Sequence, residues 1–87
     1  MNEILWHNRA RKQMKKIPRN YQVAIHDKVD QLVDFPGTND ALDIKKLSNH
    51  DYDYRMRVGR YRVLFDFQEK IKIIAIQEVK KRDERTY

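Results

Sequence analysis

The stretch Tyr54-Arg55-Met56-Arg57-Val58-Gly59-Arg60-Tyr61-Arg62-Val63 holds four arginines and no acid. A guanidinium group is a planar, permanently charged fork that matches the oxygens of a phosphate, so such a cluster points to phosphate binding. Side chains on a strand alternate between faces, which puts Arg55 and Arg57 on one side and Tyr54, Met56 and Val58 on the other. With Gly59-Arg60 as a two-residue turn, Val58 faces Tyr61, Arg57 faces Arg62 and Arg55 faces Leu64, so three arginines share one surface. Like charges opposite each other repel, and a sheet accepts that cost most readily where a polyanion will sit. The competing reading is a solvated face whose cations pair with Asp51, Asp53 or Asp66. The lack of interleaved acids favours phosphate.

Two more basic clusters flank this hairpin. Arg9, Arg11, Lys12, Lys15, Lys16 and Arg19 form an acid-free run in which Arg11 and Lys15, and likewise Lys12 and Lys16, stand four residues apart. On a helix they make a cationic stripe, equally a docking surface for RNA or the wet side of an amphipathic helix. The third cluster is Lys80, Lys81, Arg82 and Arg85, which on composition alone reads as a frayed, charged end. A two-residue turn at Glu69-Lys70 brings Lys81 onto the arginine face, whereas a three-residue loop brings Lys80 and Arg82 there.

Among titratable groups, His50 lies in the loop entering the arginine strand and is a candidate general base, although a surface histidine is the commoner role at such a place. His7, His26 and His50 are scattered, and no carboxylate cluster has ligand spacing, so neither a metal nor another cofactor is expected. Tyr61, Val63, Phe65 and Phe67 fall on one side of the second strand, as core residues rather than a base-stacking platform.

The elements that must hold these residues are few. Eighty-seven residues at 40% hydrophobic content make one domain, residues 1–87. There is no cysteine, and nineteen Lys and Arg against thirteen Asp and Glu leave a charge of +6. That charge is a footprint for nucleic acid or an acidic partner. No segment has the character of a signal peptide or a membrane span, so a cytoplasmic protein is expected. Ile4-Leu5-Trp6 reads as a strand. Asn8 can cap a helix with Ala10, Met14 and Ile17 inward, which Pro18 ends. Asn20 can cap a second helix along Tyr21, Ile25, Val29, Leu32 and Val33, stopped at Phe35-Pro36-Gly37. Residues 38–53 read mostly as loop, and strands follow near 54–58, 61–68 and 71–79. This order predicts an α+β fold, β-α-α-β-β-β, with a helical hairpin on one face of an antiparallel sheet of about four strands. The leading strand joins an edge or pairs in parallel with the last one.

Taken together, the Arg-Ala-x-Lys-x-Met-Lys-Lys-Ile-Pro helix at Arg9 to Pro18, the Tyr-Arg-x-Arg-x-Gly-x-Tyr-Arg-Val hairpin and the final Lys-Lys-Arg-Asp-Glu-Arg-Thr-Tyr make the chain resemble, over its whole length, a RelE-type toxin of the bacterial RelE/ParE toxin–antitoxin superfamily. The resemblance implies a metal-independent endoribonuclease that cuts messenger RNA on the ribosome by attack of a ribose 2′-hydroxyl on the adjacent phosphate, inhibiting translation. It also implies a cognate antitoxin and a toxin–antitoxin complex on operator DNA. By the same resemblance, Arg55 and Arg57 match basic positions flanking the scissile phosphate, and Arg62 matches the arginine that stabilises the transition state. Arg82, or Arg85 in its place, matches the basic residue near the chain end, and Tyr87 the tyrosine that acts as base or stacks on substrate. Arg9, Arg11, Lys12, Lys15, Lys16, Arg60, Lys80, Lys81 and Arg85 are the expected RNA and ribosome contacts. Where relatives carry lysine, an arginine with a pKa above about 12 does not exchange a proton, so that task falls to Tyr87, His50 or water. Two rivals remain open: a ParE-like poison of DNA gyrase, and an inactive partner that binds only antitoxin and operator.

Overall fold

The computed structural model describes residues 1–37 and 41–82. Its elements run β1 (Glu3–Trp6), α1 (Asn8–Lys15), α2 (Arg19–Asp30), a 3₁₀ turn (Gln31–Asp34), β2 (Asp43–Lys46), β3 (Tyr54–Val58), β4 (Tyr61–Gln68) and β5 (Ile73–Lys81). The sheet has five strands in the order β1-β5-β4-β3-β2, not the four expected. The added strand is β2, in a stretch read from sequence as loop. It lies antiparallel on β3, with Ile44 opposite Met56 and Lys45 opposite Arg55. The alternation Leu42-Asp43-Ile44-Lys45 suits it, since Leu42 is buried and Ile44 packs on the core while Asp43 and Lys45 stay exposed.

Pairing elsewhere follows the pattern of side chains. β1 runs parallel to β5, with Ile4 opposite Ile74 and Trp6 opposite Ile76. In the β3–β4 hairpin the partners are Val58 and Tyr61, Arg57 and Arg62, and Arg55 and Leu64, the predicted register. Gly59 has φ +57, a left-handed backbone that glycine adopts without strain, and stands first in the two-residue turn. The last strand starts two residues later than expected because Lys72, at φ 57, extends the preceding loop.

One side of the sheet carries the core. Phe65, Ile25, Leu32, Met56, Ile74, Ile76, Val29 and Val63 are its largest fully buried side chains, each worth about 1.5–3 kcal/mol on burial. Phe35 meets Tyr54, Phe65 and Phe67 edge-on, with ring centroids 5.1, 5.6 and 5.3 Å away. Ala10, Met14 and Ile17 face inward as their spacing predicts. Tyr21 does not, being 37% exposed beside the Tyr61 ring.

The helix caps differ from expectation. His7 and Pro18 occupy the N-cap positions rather than Asn8 and Asn20, and neither makes a side-chain cap. The helical hairpin is tied by Gln22, whose amide donates to the carbonyls of Met14 (2.8 Å) and Ile17 (2.7 Å), near the end of α1 and just past it. Among the described residues no helix is long and apolar enough to cross a membrane.

Candidate active site

Alternation along β3 and β4 turns Arg55, Arg57 and Arg62 away from the core that Met56, Val58, Val63 and Phe65 occupy. Together with Lys45, Leu47, His50, Leu64 and Arg82 they line an open basin of about 500 Å³. Leu47 and Leu64 supply apolar walls, and charges held over apolar surface are screened less than charges in water.

How Arg82 reaches this basin depends on a local irregularity. Gln68 pairs with Ile73, and continuing that register would turn Lys81 toward the arginines. The register shifts between Leu64 and Phe65, whose partners are Glu78 and Ile76, so Gln77 is an extra residue in β5. Beyond this bulge Arg62 faces Lys80, Tyr61 faces Lys81, and the Arg82 N–H donates to the Arg60 carbonyl at 2.7 Å. The bulge therefore changes the parity of the strand end and puts Lys80 and Arg82 on the arginine face.

Arg55 is already held within its own chain. Its Nη1 donates to the Asp43 carboxylate at 3.1 Å and to the Asp43 carbonyl at 3.3 Å, and only 11% of its side chain is exposed. This counter-ion comes from β2, not from the acids the sequence suggested. Asp66, one of those acids, accepts the Asp53 N–H (2.7 Å) and the Gln77 amide (3.0 Å).

The other expected contacts lie outside the lining residues. Arg60 stands exposed on the turn, and Lys81 points to the opposite side from Lys80. Arg11, Lys12 and Lys15 are exposed on α1, and Lys16 is exposed at its C-cap. Arg85 and Tyr87 fall beyond the described residues.

A polar network that the sequence did not signal joins α1, β5 and the loop before β3. Because β1 ends at Trp6, the edge of β5 after Ile76 is covered by α1, and the Gln13 side-chain Oε1 accepts the Val79 N–H at 2.6 Å. The Gln13 amide donates to Glu78 at 3.2 Å, and the Tyr52 hydroxyl donates to the other Glu78 oxygen at 2.8 Å. Arg9 approaches Glu78 at 3.6 Å and Tyr52 Oη at 3.3 Å, while Lys80 lies 3.7 Å from Glu78. Burial pushes the Glu78 carboxyl up, but the hydrogen bonds from Tyr52 and Gln13, with the charges of Lys80 and Arg9, outweigh it and hold the group below its ordinary 4.5. The Tyr52 phenol is raised above 10.0, chiefly because its proton is shared with Glu78, with burial and the Glu78 charge adding to the effect. The Tyr52 backbone N–H donates to His50 Nδ1 at 3.2 Å. A neutral ring with Nδ1 accepting carries its proton on Nε2.

The chain matches, over residues 4–86, the family described as ParE toxin of type II toxin-antitoxin system, parDE. It is 29% identical over 77 residues to a candidate RelE1 toxin of Methanocaldococcus jannaschii, covering 88% of this chain and 86% of that one. The toxin fold in the crystal structure of the archaeal RelE–RelB complex from Pyrococcus horikoshii OT3 superimposes with a TM-score of 0.81 at 27% identity, over 95% of this chain and 97% of that one. The isolated Escherichia coli RelE toxin has the same fold, with a TM-score of 0.78 at 16% identity over 99% and 89% of the two chains.

Proposed function

Since the chain belongs to the ParE toxin family of type II toxin–antitoxin systems and is a toxin of the RelE type, we propose that it is a ribosome-dependent endoribonuclease that cleaves messenger RNA without a metal ion. The observation that carries this reading is the convergence of Arg55, Arg57, Arg62 and Arg82 with Lys45 and His50 around one basin. A phosphodiester seated there meets guanidinium groups from β3, β4 and the end of β5 at once. As a ribose 2′-hydroxyl attacks the adjacent phosphorus, charge grows on the phosphoryl oxygens, and donors fixed by a sheet stabilise it without having to reorganise. Arg62, central in the row between Arg57 and Lys80, is assigned that role. Arg57 and Arg82 orient the phosphate from either side, and Arg55, restrained by Asp43, forms the basin wall.

Arginine does not accept the 2′-hydroxyl proton, so a different group or water must. In the tautomer set by the Tyr52 N–H, His50 offers Nε2–H and serves as a hydrogen-bond donor to a phosphoryl oxygen. Tyr87, as its phenolate, or water takes the 2′-hydroxyl proton, and the leaving 5′-oxygen is protonated by water. The exposed cations of α1 dock on ribosomal RNA, with Arg60, Lys80, Lys81 and Arg85 adding contacts. An antitoxin, as in the archaeal RelE–RelB complex, would block the basin and, with the toxin, bind operator DNA in the cytoplasm.

The test is induced expression of the wild type and of Arg62→Ala, with primer extension on a translated message. New 5′ ends that appear with wild type and vanish with the variant support the reading, and an intact message under wild type overturns it. The family match to ParE favours a second reading, a poison of DNA gyrase, in which the arginine face is incidental. Under it, induction damages DNA and leaves messages whole.

A further inference from the structure

We infer that Tyr52 and Glu78 form a clamp that positions His50 at the basin, so that they act on cleavage through His50 rather than by touching RNA. This rests on the cutting reading above and adds residues to its site. Three observations meet here. Glu78 is 8% exposed, and one of its oxygens takes the Tyr52 hydroxyl while the other takes Gln13. Tyr52 is therefore pinned at its side-chain end to β5, the strand whose continuation carries Arg82. At its backbone end the N–H of the same residue donates to His50 Nδ1, and the two rings lie 5.9 Å apart.

The rest of the loop needs such an anchor. It runs from Leu47 to Asp53 between β2 and β3, with Ser48, Asn49, His50 and Asp51 all exposed, so little apolar burial holds it. Its ends are joined by the Leu47 N–H donating to the Asp53 carbonyl at 2.8 Å, which sets the base of the loop and leaves its tip to Tyr52. Asn49 has φ 54, a left-handed conformation that Asn tolerates and that folds the tip back. A carboxylate beside a polyanion site would normally oppose binding. Here its charge is met by Arg9, Lys80 and two neutral donors, so it acts on the loop while the basin keeps its cations.

The experiment is a double-mutant cycle on full-length toxin with programmed ribosomes, measuring kcat and KM for wild type, Tyr52→Phe, His50→Ala and the double variant. Tyr52→Phe keeps the ring and removes the hydroxyl. A loss of about 10²-fold in kcat is expected for His50→Ala, and about 10- to 100-fold for Tyr52→Phe, with KM little changed. In the His50→Ala background, Tyr52→Phe should cost nothing further, because its effect passes through His50. Additive losses, or full turnover in Tyr52→Phe, overturn the clamp even where Arg62→Ala is inactive and the cutting reading stands. Glu78→Gln is the second variant, expected to fall on the same branch as Tyr52→Phe. Hydrogen exchange of the residue-52 amide, read on each folded variant, is independent of activity. Protection in wild type that is lost in Tyr52→Phe supports the clamp, and equal exchange in both overturns it. Should wild type cut no message, the cutting reading falls, and the exchange result alone judges whether the loop is held.

Discussion

Replacing Arg62 by alanine should cripple cleavage while changing the stability of the fold little. Arg62 sits in β4 with Arg57 across one strand pair and Lys80 across the other, two like-charge neighbours. Each such pair costs about 0.2–1 kcal/mol, and Glu78, 3.7 Å from Lys80, offsets part of one of them. Relief on removing the central cation is set against loss of the contact its guanidinium makes within the chain, of the arginine stem's packing and of the better strand preference of arginine over alanine. The net change lies within about 1 kcal/mol of zero, equivalent to a Tm shift within about 4–8 °C for a chain of this size. Loss of one preorganised donor to the transition state costs about 2.7–4 kcal/mol, or 10²–10³ in kcat. Calorimetry and ribosome-programmed cleavage on the same preparation read both quantities. Undiminished cleavage would refute the transition-state role of Arg62. A fall in stability above about 3 kcal/mol would mean that the arginine row holds the sheet together, which would refute the claim that it is strained for binding.

Asp43→Asn should release Arg55 into the basin, tighten binding of single-stranded RNA, and steepen the salt dependence of log K by about 0.7. Because 57% of the Asp43 side chain is exposed, its ion pair is worth at most about 1 kcal/mol and the urea midpoint should barely move. Glu78 titrates below 4.5 in the folded protein, so the stability it contributes is full above that unfolded-state value and is lost as pH falls through the folded one. Urea titrations from pH 6 downward should show an acid limb that Glu78→Gln flattens. Phe35→Ala removes the ring that Tyr54, Phe65 and Phe67 surround and should cost about 3–5 kcal/mol by chemical denaturation. A smaller loss would mean the cluster collapses onto the vacancy.

The fold was legible wherever a pattern repeats. The stripe Ile25, Val29 and Leu32 and the alternation through β3 and β4 each settle which face is buried, and Gly59 marks a turn that needs a left-handed residue. β2 escaped because four residues are too few for a period to stand out from the polar composition around them. The caps escaped because His7 and Pro18, which stand at the N-cap positions, place no side-chain cap on the helix N–H groups, and the asparagines that mark a helix start lie one and two positions further in.

Residue type and local spacing alone determined the cationic row, its register across the hairpin and its separation from the core, since alternation and a two-residue turn act over neighbours in the chain. Arg82 joined the row through the extra residue at Gln77, and Lys45 through a strand that exists only when docked on β3. Asp43 on Arg55, Gln13 on the edge of β5 and Tyr52 on Glu78 likewise arise from contacts between groups far apart in sequence. Such contacts form because folding leaves a particular donor or carboxylate needing a partner, and that need depends on which strand ends where. It is a property of the assembled sheet, not of any window of residues.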